Sequence, residues 1–76
     1  MTTYKRVRRP SPDGAPAYII ERDGVPVADV VKTGTHLDDY PWDWMILDPF
    51  AANARRSSGV SDTLRSAIDY VKAMVP

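Results

Sequence analysis

The stretch AYIIERDGVPVADVVK, residues 17–32, constrains the fold more than any other part of the chain. Two β-rich runs, Ala17–Arg22 and Val25–Lys32, flank Asp23-Gly24, a dipeptide suited to the positive φ angles of a tight hairpin turn. Pro26 is tolerable near the start of the second run, where its missing N–H matters least. The turn decides the register. A two-residue turn pairs Ile20 with Val27 and sets Asp29 opposite Tyr18 on the same face. A three-residue loop, with Gly24 in the left-handed bulge position, collects Tyr18, Ile20, Ala28 and Val30 on one face instead. It also leaves Glu21 and Asp29 together on the other face, and it is the expected arrangement. That other face still carries Ile19, Val25, Val27 and Val31, so neither side of the hairpin reads as clearly wet.

The same ambiguity recurs in YPWDWMILDP, residues 40–49. Alternation sends Trp42, Trp44 and Ile46 to one side of a third strand, Trp42–Leu47, and Asp43, Met45 and Leu47 to the other. Farther on, Val60, Leu64, Ala67, Ile68, Val71 and Val75 recur at helical spacing, while Asp62, Arg65, Ser66, Asp69 and Lys72 fill the opposite side. Ser61 is placed to cap this helix, and Arg65 and Asp69 are spaced to form an ion pair. Asp48-Pro49 reads as a helix start, so FAANARRSSG could be a short helix ending at Gly59, an irregular segment or a short strand.

The expected fold is therefore α+β: a small antiparallel three-stranded sheet packed by one C-terminal helix. TYKRVRR would add a fourth strand if it pairs at an edge. Residues 1–16 form a basic N-terminal arm or edge strand and residues 17–76 a β-β-β-α domain. With little obvious core in residues 1–12, the arm is expected to be dispensable for folding. One helix hides one face, and the strands carry more apolar surface than that. With Trp42, Trp44 and Ile46 under the helix, the open side is expected to present Ile19, Val25, Val27, Met45 and Leu47 to a partner.

A chain of 76 residues makes one domain with a small core, and the absence of cysteine removes disulfides and thiolate zinc sites as supports. The remaining supports are tight packing, self-association or a partner. No apolar run is long enough for a signal or a membrane span, and the expected location is the cytoplasm.

Catalytic constellations are lacking. With one histidine, His36, and no Gly-x-Ser-x-Gly elbow, neither a thiol dyad nor a serine triad is in sight. His36, Asp38, Asp39 and Asp43 match no metal-ligand spacing and read as a wet acidic loop, and no phosphate-cradling or dinucleotide motif is present. No cofactor is expected.

Ten basic and ten acidic side chains cancel, but unevenly along the chain. Residues 1–12 hold Lys5, Arg6, Arg8 and Arg9 with no acid, whereas residues 33–48 hold four aspartates and no base. A nucleic-acid interface built from Lys5, Arg6, Arg8, Arg9, Arg55 and Arg56 is the alternative to a protein interface, with Arg55 and Arg56 near the free amides of a helix start. The overall neutrality and the acidic segment oppose it.

The succession AYIIERDGVPVADVV, WDWMIL, DTLRSAIDYV resembles small orphan accessory proteins of actinobacterial phages. It is also similar to AP2-like modules, in which a three-stranded sheet with a helix reads DNA through arginine and aromatic side chains. Here the corresponding face would hold Glu21 and Asp29 beside aliphatics. The phage likeness implies a small accessory protein acting on a host component. Together these readings favour a non-catalytic protein-interaction module whose partner is a host protein or a second copy.

Overall fold

The computed structural model describes residues 2–11, 13–33 and 39–75. Five strands and one helix follow in order: β1 (Tyr4–Arg8), β2 (Ala17–Arg22), β3 (Val25–Lys32), β4 (Trp42–Ile46), β5 (Ser58–Ser61) and α1 (Leu64–Met74), with a 3₁₀ turn over Phe50–Asn53. Every strand pairs antiparallel with its sequence neighbour, giving a five-stranded meander in the order β1-β2-β3-β4-β5. The α+β class and the single C-terminal helix are as expected, but the sheet is larger. The basic arm supplies β1, and the segment after the 3₁₀ turn supplies β5.

The β2–β3 hairpin reaches the expected register by a different route. Asp23 (φ 53°) and Gly24 (φ 83°) both adopt positive φ, so the loop is a two-residue turn closed by Arg22 and Val25. The extra residue enters farther along, where the register shifts between Ile20 and Glu21. Glu21 pairs with Pro26 and Ile20 with Ala28, leaving Val27 as a bulge. Beyond it Tyr18 faces Val30 and Ile19 faces Asp29, which keeps the acids off the apolar face. The bulge drops Val27 into the core, where it is fully buried.

The core lies between one sheet face and the helix. Ile20, Val27, Ala28, Val30, Trp44 and Ile46 of the sheet pack with Ala67, Val71 and Val75. Trp44 and Ile46 take the expected side, and Met45 points the other way, half exposed. Trp42 is half-buried at the margin, tilted against Tyr18 with ring centroids 6.4 Å apart.

Two helix-start expectations are corrected. Thr63, not Ser61, caps α1, its Oγ1 accepting from Ser66 N at 3.0 Å. Ser61 lies in β5, where its buried hydroxyl donates to the Thr63 carbonyl at 3.1 Å. Val60 likewise belongs to β5 and leaves the helical stripe for the opposite sheet face. The Asp48-Pro49 start yields only the 3₁₀ turn, with Pro49 at the N-cap position and no side-chain cap. Among the described residues no helix is long and apolar enough to cross a membrane.

Candidate functional site

Among the described residues one helix covers one sheet face and no helix or strand covers the other. Strand alternation and register define it row by row. Val7, Ile19, Asp29, Met45 and Ser58 are successive cross-strand neighbours, and Ala17, Val31, Asp43 and Val60 form the adjoining row. Met45 is 50%, Val60 41% and Val7 36% exposed, so apolar surface is presented on three different strands.

One pair of opposite charges on this face is tied down. Arg9, just beyond β1, reaches across β2 and grips Asp29 with both ends of its guanidinium, Nε to Oδ1 at 2.7 Å and Nη2 to Oδ2 at 2.8 Å. The Asp29 carboxylate raises the Arg9 pKa above its ordinary value, chiefly through the side-chain hydrogen bond, with burial opposing and charge attraction adding the smallest part. This fork geometry is the favourable form of a surface pair, yet partly exposed pairs of this kind contribute only about 0–1 kcal/mol. Its larger effect is orientation, since it fixes a neutralised polar patch beside the aliphatics. Lys5 and Glu21 are directly opposed across β1 and β2 on the same face.

The expected partner-binding residues divide. Ile19 and Met45 lie on the open face as anticipated. Val27 does not, because the bulge turns it inward. Val25 is 50% exposed but sits beside the turn, opposite Arg22, on the helix side of the strand. Leu47 is half-buried just past β4, its amide donating to the Val27 carbonyl at 2.9 Å. Val7 and Val60 join the face unanticipated. Val60 could have been found by continuing the alternation through Ser58, Val60 and the turn that follows; Val7 was hidden by the charges around it.

The candidate nucleic-acid residues divide as well. Lys5 and Arg9 lie on the open face, Arg9 ion-paired with Asp29 and Lys5 in register with Glu21. Arg6 and Arg8 alternate onto the helix side, each with Cζ 5.5 Å from the Tyr18 ring centroid. Arg55 and Arg56 are exposed in the loop before β5, and the Arg55 amide donates to the Met74 carbonyl at the helix C-terminal end. They therefore sit at the wrong end of α1 for an N-terminal phosphate site.

The helix packs on β3, β4 and β5, so the β1–β2 end of the same face is left beside it as a groove of about 420 Å³. Tyr4, Lys5, Arg6 and Ile20 line it from the sheet, and Arg65, Ile68, Asp69 and Lys72 from the helix. Lys72 Nζ lies 5.3 Å from the Tyr4 ring centroid. Arg65 and Asp69, four residues apart, do not form the ion pair their spacing suggested; among the described residues the groove holds both side by side without that contact.

The acidic loop is only partly in view. His36 and Asp38 lie outside the described residues, Asp39 is exposed, and Asp43 is half-buried on the open face with interactions of its own. Among the described residues no cluster of three or more His, Cys, Asp or Glu side chains could hold a metal ion.

Compared with protein families, with curated proteins and with solved structures, the chain finds no match in any of the three.

Proposed function

We propose that the chain is a non-catalytic protein-interaction module that self-associates through its open sheet face, as an accessory protein of the phage type that its sequence resembles. The carrying observation is the exposure of Met45, Val60 and Val7 on one uncovered side of a sheet whose other side is filled by α1. Stacking two such faces makes the two-sheet sandwich that antiparallel sheets commonly form.

A second copy fits this face by charge. The face carries both signs, in the Arg9–Asp29 pair and the opposed Lys5 and Glu21, so a two-fold operation can set basic groups against acidic ones. The chain as a whole has no net charge to oppose association. Size sets the strength. Five strands about 4.8 Å apart, five residues long at about 3.4 Å each, give a platform of roughly 400 Å² per copy. Side-chain relief brings the total burial to about 1,000 Å², the low end for a specific interface, which points to a reversible dimer.

Sedimentation velocity over a concentration series tests this. A monomer–dimer equilibrium is expected, and Met45→Asp or Val60→Asp should abolish it while circular dichroism stays that of the folded chain. Wild-type protein that remains monomeric at the highest concentrations, or a dimer that persists in both variants, would overturn it.

A further inference from the structure

We infer that the groove between β1 and α1 is a binding site for single-stranded nucleic acid, which lays its phosphates along Arg6, Arg8, Arg65 and Lys72. The site lies on the opposite side of the sheet from the open face and does not depend on self-association.

The sheet sorts the charges of a neutral chain by side. From the strands, the open face holds the carboxylates Glu21, Asp29 and Asp43; Arg9 is ion-paired with Asp29 there, and Lys5, opposite Glu21 in register, also borders the groove. The helix side of the strands holds Arg6, Arg8, Arg22 and Lys32 and no carboxylate. On α1, Arg65, Ile68, Asp69 and Lys72 follow helical spacing and turn two more cations and one acid toward the groove. A protein without net charge thus concentrates positive potential in one concave place, where the walls focus it.

The groove has the parts that single strands use: cations for the backbone and flat π surfaces for the bases. Arg6 and Arg8 occupy alternate positions on one strand, about 6.8 Å apart at a rise of about 3.4 Å per residue, close to the step between successive phosphates. Both guanidinium groups are held over Tyr18; Arg6 lines the groove itself, while Arg8 and Tyr18 lie just beyond its lining and extend its surface along β1 and β2. Tyr4 under Lys72 adds a second ring, and Ile20 and Ile68 supply apolar lining. Guanidinium planes and tyrosine rings both accept stacked bases.

The test is fluorescence anisotropy of the 76-residue chain with a labelled single-stranded oligothymidylate across a salt series. Each phosphate neutralised on a single strand contributes about −0.7 to the slope of log K against log salt, so four cations give about −3. Arg6→Ala and Lys72→Ala should each flatten the slope by about 0.7, and Arg6→Lys should restore it. Arg9→Ala removes the same charge from the open face and should leave the slope unchanged, with thermal melts verifying that every variant is folded. Equal flattening by Arg9→Ala would reduce the effect to net charge and overturn the site. So would absence of binding at low salt, competition by polyglutamate as effective as that by unlabelled oligothymidylate, or competition by thymidine monophosphate at equal phosphate concentration.

Discussion

A methyl group added at Gly59 would lie 2.6 Å from Trp44 Cζ2 and 2.8 Å from Cε2, because the indole rests on the bare backbone of the neighbouring strand. Tyr70 stacks on the same indole, with centroids 5.9 Å apart and planes 14° from parallel. Neither backbone nor buried ring can move cheaply, so Gly59→Ala is expected to destabilise by about 1–3 kcal/mol, the usual cost of overpacking. Trp44→Ala empties the site and should cost about 3–5 kcal/mol. Chemical denaturation measures both, and near-native stability of Gly59→Ala would show that Trp44 has another place to go. The indole Nε1 is buried without an acceptor among the described residues, so shape rather than hydrogen bonding holds Trp44 there. At the surface, Asp13 accepts from Ser11 Oγ at 2.7 Å and from the Ala15 amide at 3.2 Å, which hold its carboxyl below the ordinary carboxylate range. A folded pKa below the unfolded one stabilises above the unfolded value, and that stabilisation is lost as pH falls through the folded one. Ser11→Ala removes the larger cause and should raise the Asp13 pKa, which a carboxyl-carbon NMR titration reads directly.

Among the elements, β1 takes the edge-strand alternative of the two that the sequence left open. Lys5, Arg6 and Arg8 make it look like a frayed arm, yet it pairs with β2 from Tyr4 opposite Arg22 to Arg8 opposite Tyr18. It is anchored at both ends, by Asp23 N to the Thr3 carbonyl at 2.8 Å and by Arg9 N to the Ala17 carbonyl at 3.0 Å. Its five cross-strand pairs, at roughly 0.2–1 kcal/mol each, sum to about 1–5 kcal/mol. Each kcal/mol moves the midpoint of a domain this size by about 4–8 °C. Deleting residues 1–9 is therefore expected to lower the thermal midpoint by roughly 4–40 °C, and an unchanged midpoint would return β1 to the status of an arm. What the sequence made legible was the set of elements with a buried stripe: the hairpin faces, the side taken by Trp44 and Ile46, and α1. The rest depended on partners. Charged side chains serve an edge strand by discouraging further pairing, so the same residues that protect β1 erase its apolar period. SGVS reads as a helix end, an irregular stretch or a short strand until Trp44 needs a glycine beside it. The Val27 bulge escaped notice because a bulge at the turn and a bulge three residues on give the same register downstream.

For the whole molecule, a sheet with one helix on one side and water on the other is an incomplete pair of layers. The ten buried apolar residues include three alanines, Ala17, Ala28 and Ala67, so much of this small core is thin. Ala17 is also the sole fully buried apolar residue of the open face among the described strands, level with Val31, its carbonyl accepting from the Arg9 amide. A second sheet laid over Met45, Val60 and Val7 would extend burial to the side where the monomer has almost none. Since association then stabilises the folded chain by mass action, the proposed dimer makes its melting temperature depend on protein concentration. Each tenfold increase in concentration above the dissociation constant adds about 1.4 kcal/mol per mole of dimer, or about 0.7 kcal/mol per chain. At about 4–8 °C per kcal/mol that is a rise of roughly 3–6 °C per decade. Met45→Asp should flatten this dependence while leaving the dilute melting temperature nearly unchanged, because the side chain is already half in water. Differential scanning fluorimetry over two decades of concentration measures it. A wild-type melting temperature that does not move, or a Met45→Asp variant that still shows the rise, would place the contact elsewhere than on this face.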